Sequence, residues 1–537
     1  MIRSPLLRHG ALLGALAGLA GGLAFGAAMA QLGYLPTVAS LVRARTPETG
    51  FFVHMAIAAI VGAGFGLLVY RQRLGAGEML FWGMTYGSLW WFLGPLTLLP
   101  LLLGRTMVWD VGSAQAVFPS LIGHLWYGAV TAIVYVILRR RVGAAGSRIG
   151  REVILVGALA GLAGGWLFGR LVDGQAQWLG SSALLSPVTH RVPEPATVLI
   201  GIASGVGFAW LYPQLHDGSG PMLIRGTMYG FAWWVAGALT LVPLATGMGL
   251  GWSVEAARAQ FPALPGFLLA GAFLALVYRW VDGLARLLFF DDVGAEDEEG
   301  VGTRGLRALA RGAFAGLIGG LIFTIIMVRL GILPVIARLI GASSPWSGLI
   351  VHLVIANLIG ASFGLLFLRR SFDLGSALGW GVSYGFFWWV LGPLTLLPLL
   401  LGTVPRWTPE IAGALTASLI GHLAYGAAVG ITFFLLEARY NPWWISHTDA
   451  EAVRIARRRE QVLTSAPALW ALVVVVALTL PVVLTCGMPP GGAGYSMSPA
   501  APPSAPPRTT SSGGGVYGGA AGPHDSCGQN GSVPKTP

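Results

Sequence analysis

The sequence predicts an all-α protein, a polytopic transmembrane helical bundle. We expect three tandem, parallel four-helix repeats, then one C-terminal transmembrane helix and a disordered tail. Hydrophobic residues make up 55% of the chain and charged residues only 10%, whereas soluble globular proteins carry about 25% charged residues. One stretch also occurs three times: GMTYGSLWWFLGPLTLLPLLLG from Gly83, GTMYGFAWWVAGALTLVPLATG from Gly226 and GVSYGFFWWVLGPLTLLPLLLG from Gly381.

Each copy contains four apolar segments of roughly 20 residues, the length that crosses a hydrocarbon core of about 30 Å as a helix. They run over 10–31, 50–70, 79–103 and 118–138 in the first copy. In the second copy they cover 153–174, 194–212, 222–246 and 261–281, and in the third 308–330, 348–368, 377–401 and 416–436. A thirteenth segment covers 467–485. Helices are expected throughout, because irregular backbone cannot face lipid.

These segments divide the chain into seven parts. They are repeat 1 (1–141), repeat 2 (150–288), an acidic cytoplasmic linker (289–303), repeat 3 (304–438), a basic cytoplasmic linker (439–466), helix 13 (467–485) and an external tail (486–537). The tail is rich in Pro, Gly and Ser and cannot bury a core, so we expect it to be disordered. The first segment resembles a secretory signal, but its GALAGLAGG stretch from Gly14 recurs from Gly157. We therefore expect it to stay as a membrane helix.

Arginine clusters between the apolar segments predict the orientation. With the N-terminus in the cytoplasm, Arg139–Arg141, Arg369–Arg370 and Arg457–Arg459 fall on the cytoplasmic side, as the positive-inside rule requires. All three repeats then insert the same way, and the tail lies outside. The expected location is a bacterial plasma membrane. The net charge of +11 is thereby assigned to orientation, so the expected partner is the lipid bilayer and not nucleic acid.

The first and third segments of each copy carry regular patterns. Glycine recurs at every fourth position from Gly14 to Gly26, which puts small residues on one helix face and predicts close helix packing. The third segments place Tyr86, Tyr229 and Tyr384 before a Trp–Trp pair. The prolines Pro95 and Pro100, with Pro393 and Pro398 in the third copy and Pro243 in the second, predict a kink or break in the outer half. Such a segment either lines a cavity or is a packing element.

A small polar set is present in two copies and absent from the most divergent one. Its members are His54, His124 and Tyr127 in the first copy and His352, His422 and Tyr425 in the third. The second copy has Thr197, Phe267 and Ala270 at these positions. The histidines either form hydrogen bonds between helices, ligate haem iron, copper or zinc, or line a substrate or proton path.

Three function hypotheses follow, and no catalytic residue is assigned. The chain has no Walker A, nucleophile-elbow, His-Glu-x-x-His or Cys-x-x-Cys-His motif, so we do not expect an enzyme. The leading hypothesis is a permease-like protein for a small-molecule substrate, whose cavity is lined by the polar set together with Tyr86 and Tyr384. The second is a haem- or metal-binding redox-associated subunit that uses the four histidines. The third is a membrane scaffold that presents the tail.

Overall fold

The computed structural model describes residues 4–70, 74–107, 109–142, 150–179, 194–213, 218–289, 301–368, 374–438 and 482–484. Within these ranges, twelve long helices follow one another and no strand occurs. They are α1 (Ser4–Gln31), α2 (Pro47–Val69), α3 (Ala76–Leu93), α4 (Phe118–Val142), α5 (Arg151–Leu179), α6 (Glu194–Leu211), α7 (Ser219–Trp233), α8 (Leu264–Phe289), α9 (Val301–Leu330), α10 (Pro345–Leu366), α11 (Leu374–Leu391) and α12 (Thr416–Ala438). Each overlaps one of the apolar segments of the three copies.

Helix length and composition place the protein in a membrane. In the described part of the chain, ten helices are long and apolar enough to cross a bilayer, and α3 and α6 are not among them. Large apolar side chains also face outward: Phe52 is 71% exposed, Ile60 72% and Leu358 65%, as expected for surfaces that contact lipid. The predicted class is confirmed: the protein is an all-α, multi-pass membrane protein whose environment is the lipid bilayer.

The start of α2 shows where a hydropathy pattern misplaces a helix boundary. The helix begins at Pro47, three residues before the predicted segment, because the Thr46 side chain accepts a hydrogen bond from the Thr49 N–H at 3.3 Å. Glu48 adds an acidic group to the first turn. Both features stabilise the free N–H groups of a helix N-terminus. Consequently His54 lies two turns into the helix.

Packing follows one scheme within each group of four helices, α1–α4, α5–α8 and α9–α12. The first helix packs antiparallel against the second and also against the fourth, and the third packs against the fourth. A Cβ atom added to Gly14 would lie 2.3 Å from the carbonyl oxygen of Gly62 in the first group. In the third group, a Cβ on Gly312 would lie 2.4 Å from that of Gly360. The glycine pattern therefore brings two backbones into contact, as predicted.

The third helix of each group continues into a π-helical segment without a break. These segments are Gly94–Leu98, Trp234–Leu241 and Gly392–Leu396, and one further α-turn follows each. The expected proline-dependent kink is thus a change of helix type. Proline is not its only cause, because the second segment is also π-helical although Ala238 replaces the first proline.

Neighbouring groups contact each other mainly through their third helices. α3 packs against α6, and α7 packs against α10 and α11. The basic linker 439–466, helix 13 and the tail lie outside the described residues, except for 482–484, and most of the acidic linker also lies outside. Their assignments, like the predicted domain boundaries, remain predictions.

Candidate functional site

His54 is a hydrogen-bond donor between the first two helices. Its Nε2 lies 3.0 Å from the carbonyl oxygen of Gly22, and the side chain is buried. His352 makes the same contact with Gly320 at 3.1 Å. Because a carbonyl only accepts hydrogen bonds, Nε2 carries the proton in both rings. The contact connects α2 to the glycine face of α1, and its counterpart connects α10 to α9.

His124 bonds within its own helix and contacts a phenylalanine from the first helix. Its Nδ1 donates to the carbonyl oxygen of Ser120 at 2.7 Å. The ring of Phe25 lies against both histidines, with centroids 5.4 Å from His54 and 5.0 Å from His124, in edge-to-face geometry. The two histidines are thus grouped around Phe25. Sequence comparison missed this residue because the second group also has a phenylalanine here, Phe168.

The third group repeats this arrangement. Phe323 lies 5.4 Å from His352 and 4.8 Å from His422 between ring centroids, and His422 Nδ1 donates to Ser418 O at 2.8 Å. In the second group, Phe168 packs directly on Phe267 at a centroid distance of 4.5 Å. An aromatic contact has therefore replaced an aromatic–histidine contact.

Tyr127 completes the set by connecting the fourth helix to the second. Its hydroxyl donates to the carbonyl oxygen of Ala58 at 2.7 Å, and Tyr425 donates to Ala356 O at 2.6 Å. Each is a buried hydrogen bond between membrane helices, an interaction with a typical strength of about 1 kcal/mol. For His54, His352, Tyr127 and Tyr425 the geometry favours the structural interpretation, namely hydrogen bonding between helices.

The tyrosines of the third helix also donate to backbone. Tyr86 OH donates to Val61 O at 2.8 Å, and Tyr229 OH to Ser204 O at 2.7 Å. Tyr384 instead donates to Ser362 Oγ at 2.7 Å, and Ser362 donates to Ile359 O, also at 2.7 Å. Glycine occupies the position of Ser362 in the other two groups. A Cβ on Gly64 would lie 2.8 Å from Tyr86 OH, so the small residue makes room for the direct bond.

The π-helical segments are held by two recurring side-chain bonds. A threonine hydroxyl donates to the carbonyl five residues earlier, Thr97 to Phe92 at 2.7 Å and Thr395 to Val390 at 2.8 Å. The second tryptophan of each pair donates to a backbone carbonyl at the start of the fourth helix: Trp91 to Val117, Trp234 to Gln260 and Trp389 to Leu415, at 3.0, 3.0 and 3.2 Å. π-helical turns are frequent at functional sites.

In each of the four histidines one ring nitrogen donates to a carbonyl oxygen, which leaves the other nitrogen of the neutral ring without a proton. A phenylalanine ring contacts both imidazoles of each pair. Among the described residues, no group of three or more His, Cys, Asp and Glu side chains could hold a metal ion. Ligation of haem iron, copper or zinc by the histidines remains a prediction.

A buried ion pair between the first two groups was missed from sequence. Arg225 Nη2 lies 3.0 Å from Glu78 Oε1, and the two side chains are only 3% and 10% exposed. The Arg225 guanidinium also lies over the Tyr212 ring, 5.2 Å from its centroid. The signal available in the sequence was one charged residue of opposite sign near the start of each of these two helices, Glu78 in α3 and Arg225 in α7. Intramembrane ionisable residues are by default functional candidates.

A pocket of about 320 Å³ lies at the same interface. Its lining is apolar and aromatic, and none of the histidines contributes to it. The lining residues are Leu80 and Met84 of α3, Leu125, Trp126 and Ala129 of α4, and Tyr229, Ala232, Trp233, Val235, Ala236 and Leu241 of α7 and its π-helical segment. A cavity lined by the histidines was expected. This pocket lies elsewhere. Of the three tyrosines in the third helices, Tyr229 lines it.

A hydrogen-bond network lies beside the pocket, towards the end farther from the ion pair. Trp126 Nε1 and Trp252 Nε1 both donate to Thr240 Oγ1, at 3.2 and 3.0 Å. Thr240 itself donates to Val235 O at 2.9 Å. The hydroxyl thus uses its donor and both acceptor sites, which fixes α4 against the π-helical segment of the second group.

Comparison of the chain with protein-family models, curated proteins and solved structures finds no significant match. Function therefore has to be inferred from the geometry of the chain itself.

Proposed function

We propose that this protein is a permease-like protein of the bacterial plasma membrane for an apolar small molecule, and that it is not an enzyme. It consists of three tandem four-helix repeats and a thirteenth helix, with its N-terminus in the cytoplasm and its tail outside. Hydrogen bonds at equivalent positions support the repeats. His54 and His352 make the same bond, and so do Tyr127 and Tyr425, and each pair is separated by the same number of residues. The arginine distribution supports the orientation.

The observation that carries the proposal is the pocket between repeats 1 and 2. Its volume of about 320 Å³ is at the lower end of the range of small-molecule sites, about 300–1,000 Å³. Because the lining offers almost no polar surface, the ligand that it fits is a hydrocarbon group, such as an alkyl chain or a small ring. A sugar, an amino acid or an ion would lose its hydration there without compensation.

Small side chains in repeat 2 create the space. Ala232 and Ala236 line the pocket. The other repeats carry larger residues at the equivalent positions: Leu89 and Phe387 at the first, and Leu93 and Leu391 at the second. Only repeat 2 has small side chains at both positions, which supports a site specific to this interface.

Polar contacts at both ends of the pocket support a role in passage across the membrane. The Glu78–Arg225 ion pair lies towards the end where α3 and α7 begin, and the Trp126–Thr240 hydrogen bond lies towards the other. Passage of a solute towards either side of the membrane would require the contact at that end to rearrange, as in transporters that work by alternating access. In this proposal the polar set keeps the helices packed and does not contact the solute.

Binding is tested with the purified full chain in lipid vesicles. A free alkyl diazirine and a phosphatidylcholine with a diazirine in its acyl chain are photolysed in separate samples, and the labelled peptides are mapped. We expect Ala232→Phe and Ala236→Leu, which copy the larger residues of repeat 3, to abolish labelling of α3 and α7 around the pocket. The two probes distinguish a free solute from a lipid chain as the ligand.

The matched control is Ala245→Leu, which also copies the other repeats but at an exposed position outside the pocket. It should leave labelling unchanged. Release of a fluorescent hydrophobic solute from loaded vesicles then tests passage. Equal labelling of Ala232→Phe and the unmodified protein would refute the binding site. Binding without any protein-dependent release would refute the permease role.

A further inference from the structure

Three short helices precede the last long helix of each repeat, at the end of the bundle where the third helices finish. They are Val111–Ala116, Val254–Gln260 and Pro409–Ala414, here called the junction helices. Each is capped by a side chain at the equivalent position: Asp110, Ser253 and Thr408 accept a hydrogen bond from a backbone N–H three residues on. The junction helices are therefore ordered, equivalent elements.

Two junction helices bind the same short segment of the chain, Val482–Leu484. Gln115 Nε2 donates to Leu484 O at 2.9 Å, and Arg258 Nη1 donates to Val482 O at 2.8 Å. Gln115 and Arg258 occupy equivalent positions, 143 residues apart. Equivalent side chains of repeats 1 and 2 thus donate to carbonyls two residues apart in one segment.

The third junction helix takes part through an ion pair. Arg258 Nη2 lies 2.8 Å from Glu410 Oε1. Arg258 therefore bonds a carbonyl with one nitrogen and a carboxylate of repeat 3 with the other, and the planar guanidinium holds these two donors in fixed directions. In this way a single side chain connects repeat 2, repeat 3 and the segment.

The segment is buried as well as hydrogen-bonded. Val482 is 0% and Val483 7% exposed, and both belong to the large apolar core that also contains Trp407 and Ala412. Val482 and Val483 have helical backbone and Leu484 does not. The carbonyls at such a helix end lack intrahelical partners, and arginine or amide donors satisfy them.

We infer that the junction helices form an intramolecular binding site for Val482–Leu484, and that this site clamps the three repeats together at one face of the membrane. Repeats 1 and 2 each hold the segment by one donor, and repeat 3 is joined through Arg258 and Glu410. Loss of the clamp loosens the packing of the repeats at this end. The pocket between repeats 1 and 2 uses none of these residues.

Cross-linking of the full chain tests the clamp. Cys486 and Cys527 are changed to serine, a protease site is inserted in the linker 289–303, and Gln115→Cys is combined with Leu484→Cys. Oxidation in membranes followed by cleavage should leave the two fragments joined until reduction. The control pair, Arg141→Cys with Leu484→Cys, lies at opposite ends of the bundle and should not cross-link.

Arg258→Ala in the cross-linking background should remove most of the joined product, and Arg258→Lys should retain more of it. Equal product from the test and control pairs, or no effect of Arg258→Ala, would overturn the clamp. Melting temperature provides a second measurement if the cysteine variants do not accumulate. Glu410→Gln should lower it, whereas Glu255→Gln, at the equivalent exposed position in repeat 2, should not. Equal melting temperatures for the two variants would also overturn the clamp.

Discussion

The ion pair between Glu78 and Arg225 allows a quantitative test of the interface that carries the proposed pocket. The two groups are 3.0 Å apart, with side chains 10% and 3% exposed. Two unit charges about 4 Å apart attract by about 4 kcal/mol at an effective dielectric constant of about 20. Removing one partner of a buried pair typically costs about 3–5 kcal/mol, because the other charge stays buried without compensation. We therefore expect Glu78→Gln and Arg225→Met each to destabilise the protein by that amount.

The double variant distinguishes an ion pair from two independent residues. With both charges removed, no buried charge is left uncompensated, so the double variant should be less destabilised than the sum of the single variants, by about 2–4 kcal/mol. Reversible unfolding in mixed micelles gives the free energy for each member of the cycle. A further variant, Glu78→Ser with Arg225→Trp, copies Ser376 and Trp380 of repeat 3 and should be tolerated. A coupling energy below about 0.5 kcal/mol, the usual limit of additivity, would refute the reasoning.

Three further outcomes follow from the contacts of the polar set and the clamp. Tyr127→Phe removes the bond to the Ala58 carbonyl and should cost about 0.6–2 kcal/mol by the same unfolding measurement, since an interhelical hydrogen bond contributes about that much. His124→Phe copies Phe267 of repeat 2 and should leave solute release from vesicles unchanged. Loss of release in this variant would instead show that His124 lies on the path of the solute. Burial acts to raise the pKa of Glu410. The net effect is nevertheless a lowered pKa, because the carboxylate accepts hydrogen bonds from its own backbone, Thr408 and Arg258 and lies near the positive charge of Arg258. The stabilisation by Glu410 should therefore be complete above its unfolded pKa of about 4.3 and disappear as the pH falls through its lower pKa in the folded protein. Below that folded pKa, the melting temperatures of the unmodified protein and of Glu410→Gln should become equal.

Helices and their closest contacts were predictable from sequence because both depend on local patterns. Apolar length locates a membrane helix, and glycine at every fourth position places a small-residue face, which the contact of Gly14 with Gly62 confirms. Helix starts were less predictable, since the polar residues around Thr46 that extend α2 carry no hydropathy signal.

Contacts between the three groups of four helices could not be derived in the same way. Glu78 and Arg225 are far apart in the chain, and nothing near either residue specifies that α3 and α7 place them together. The small residues Ala232 and Ala236 are visible when the copies are aligned, but which helices face them is decided by the packing of one repeat on the next. Sequence comparison therefore identified the differences among copies without showing which of them shape a pocket.

Under the proposed function, the divergence of repeat 2 reflects specialisation and not decay. The interhelical bonds that it lacks, those of His54 and Tyr127, each contribute only about 1 kcal/mol, and the Phe168–Phe267 contact takes the place of the contact between Phe25 and His124. The same repeat supplies Arg225 and the two alanines of the pocket. Neutral decay would predict that Ala232→Phe, which restores a residue found in repeat 3, does not affect ligand labelling. Specialisation predicts that this restoration removes labelling, because the larger side chain occupies the space where the solute binds.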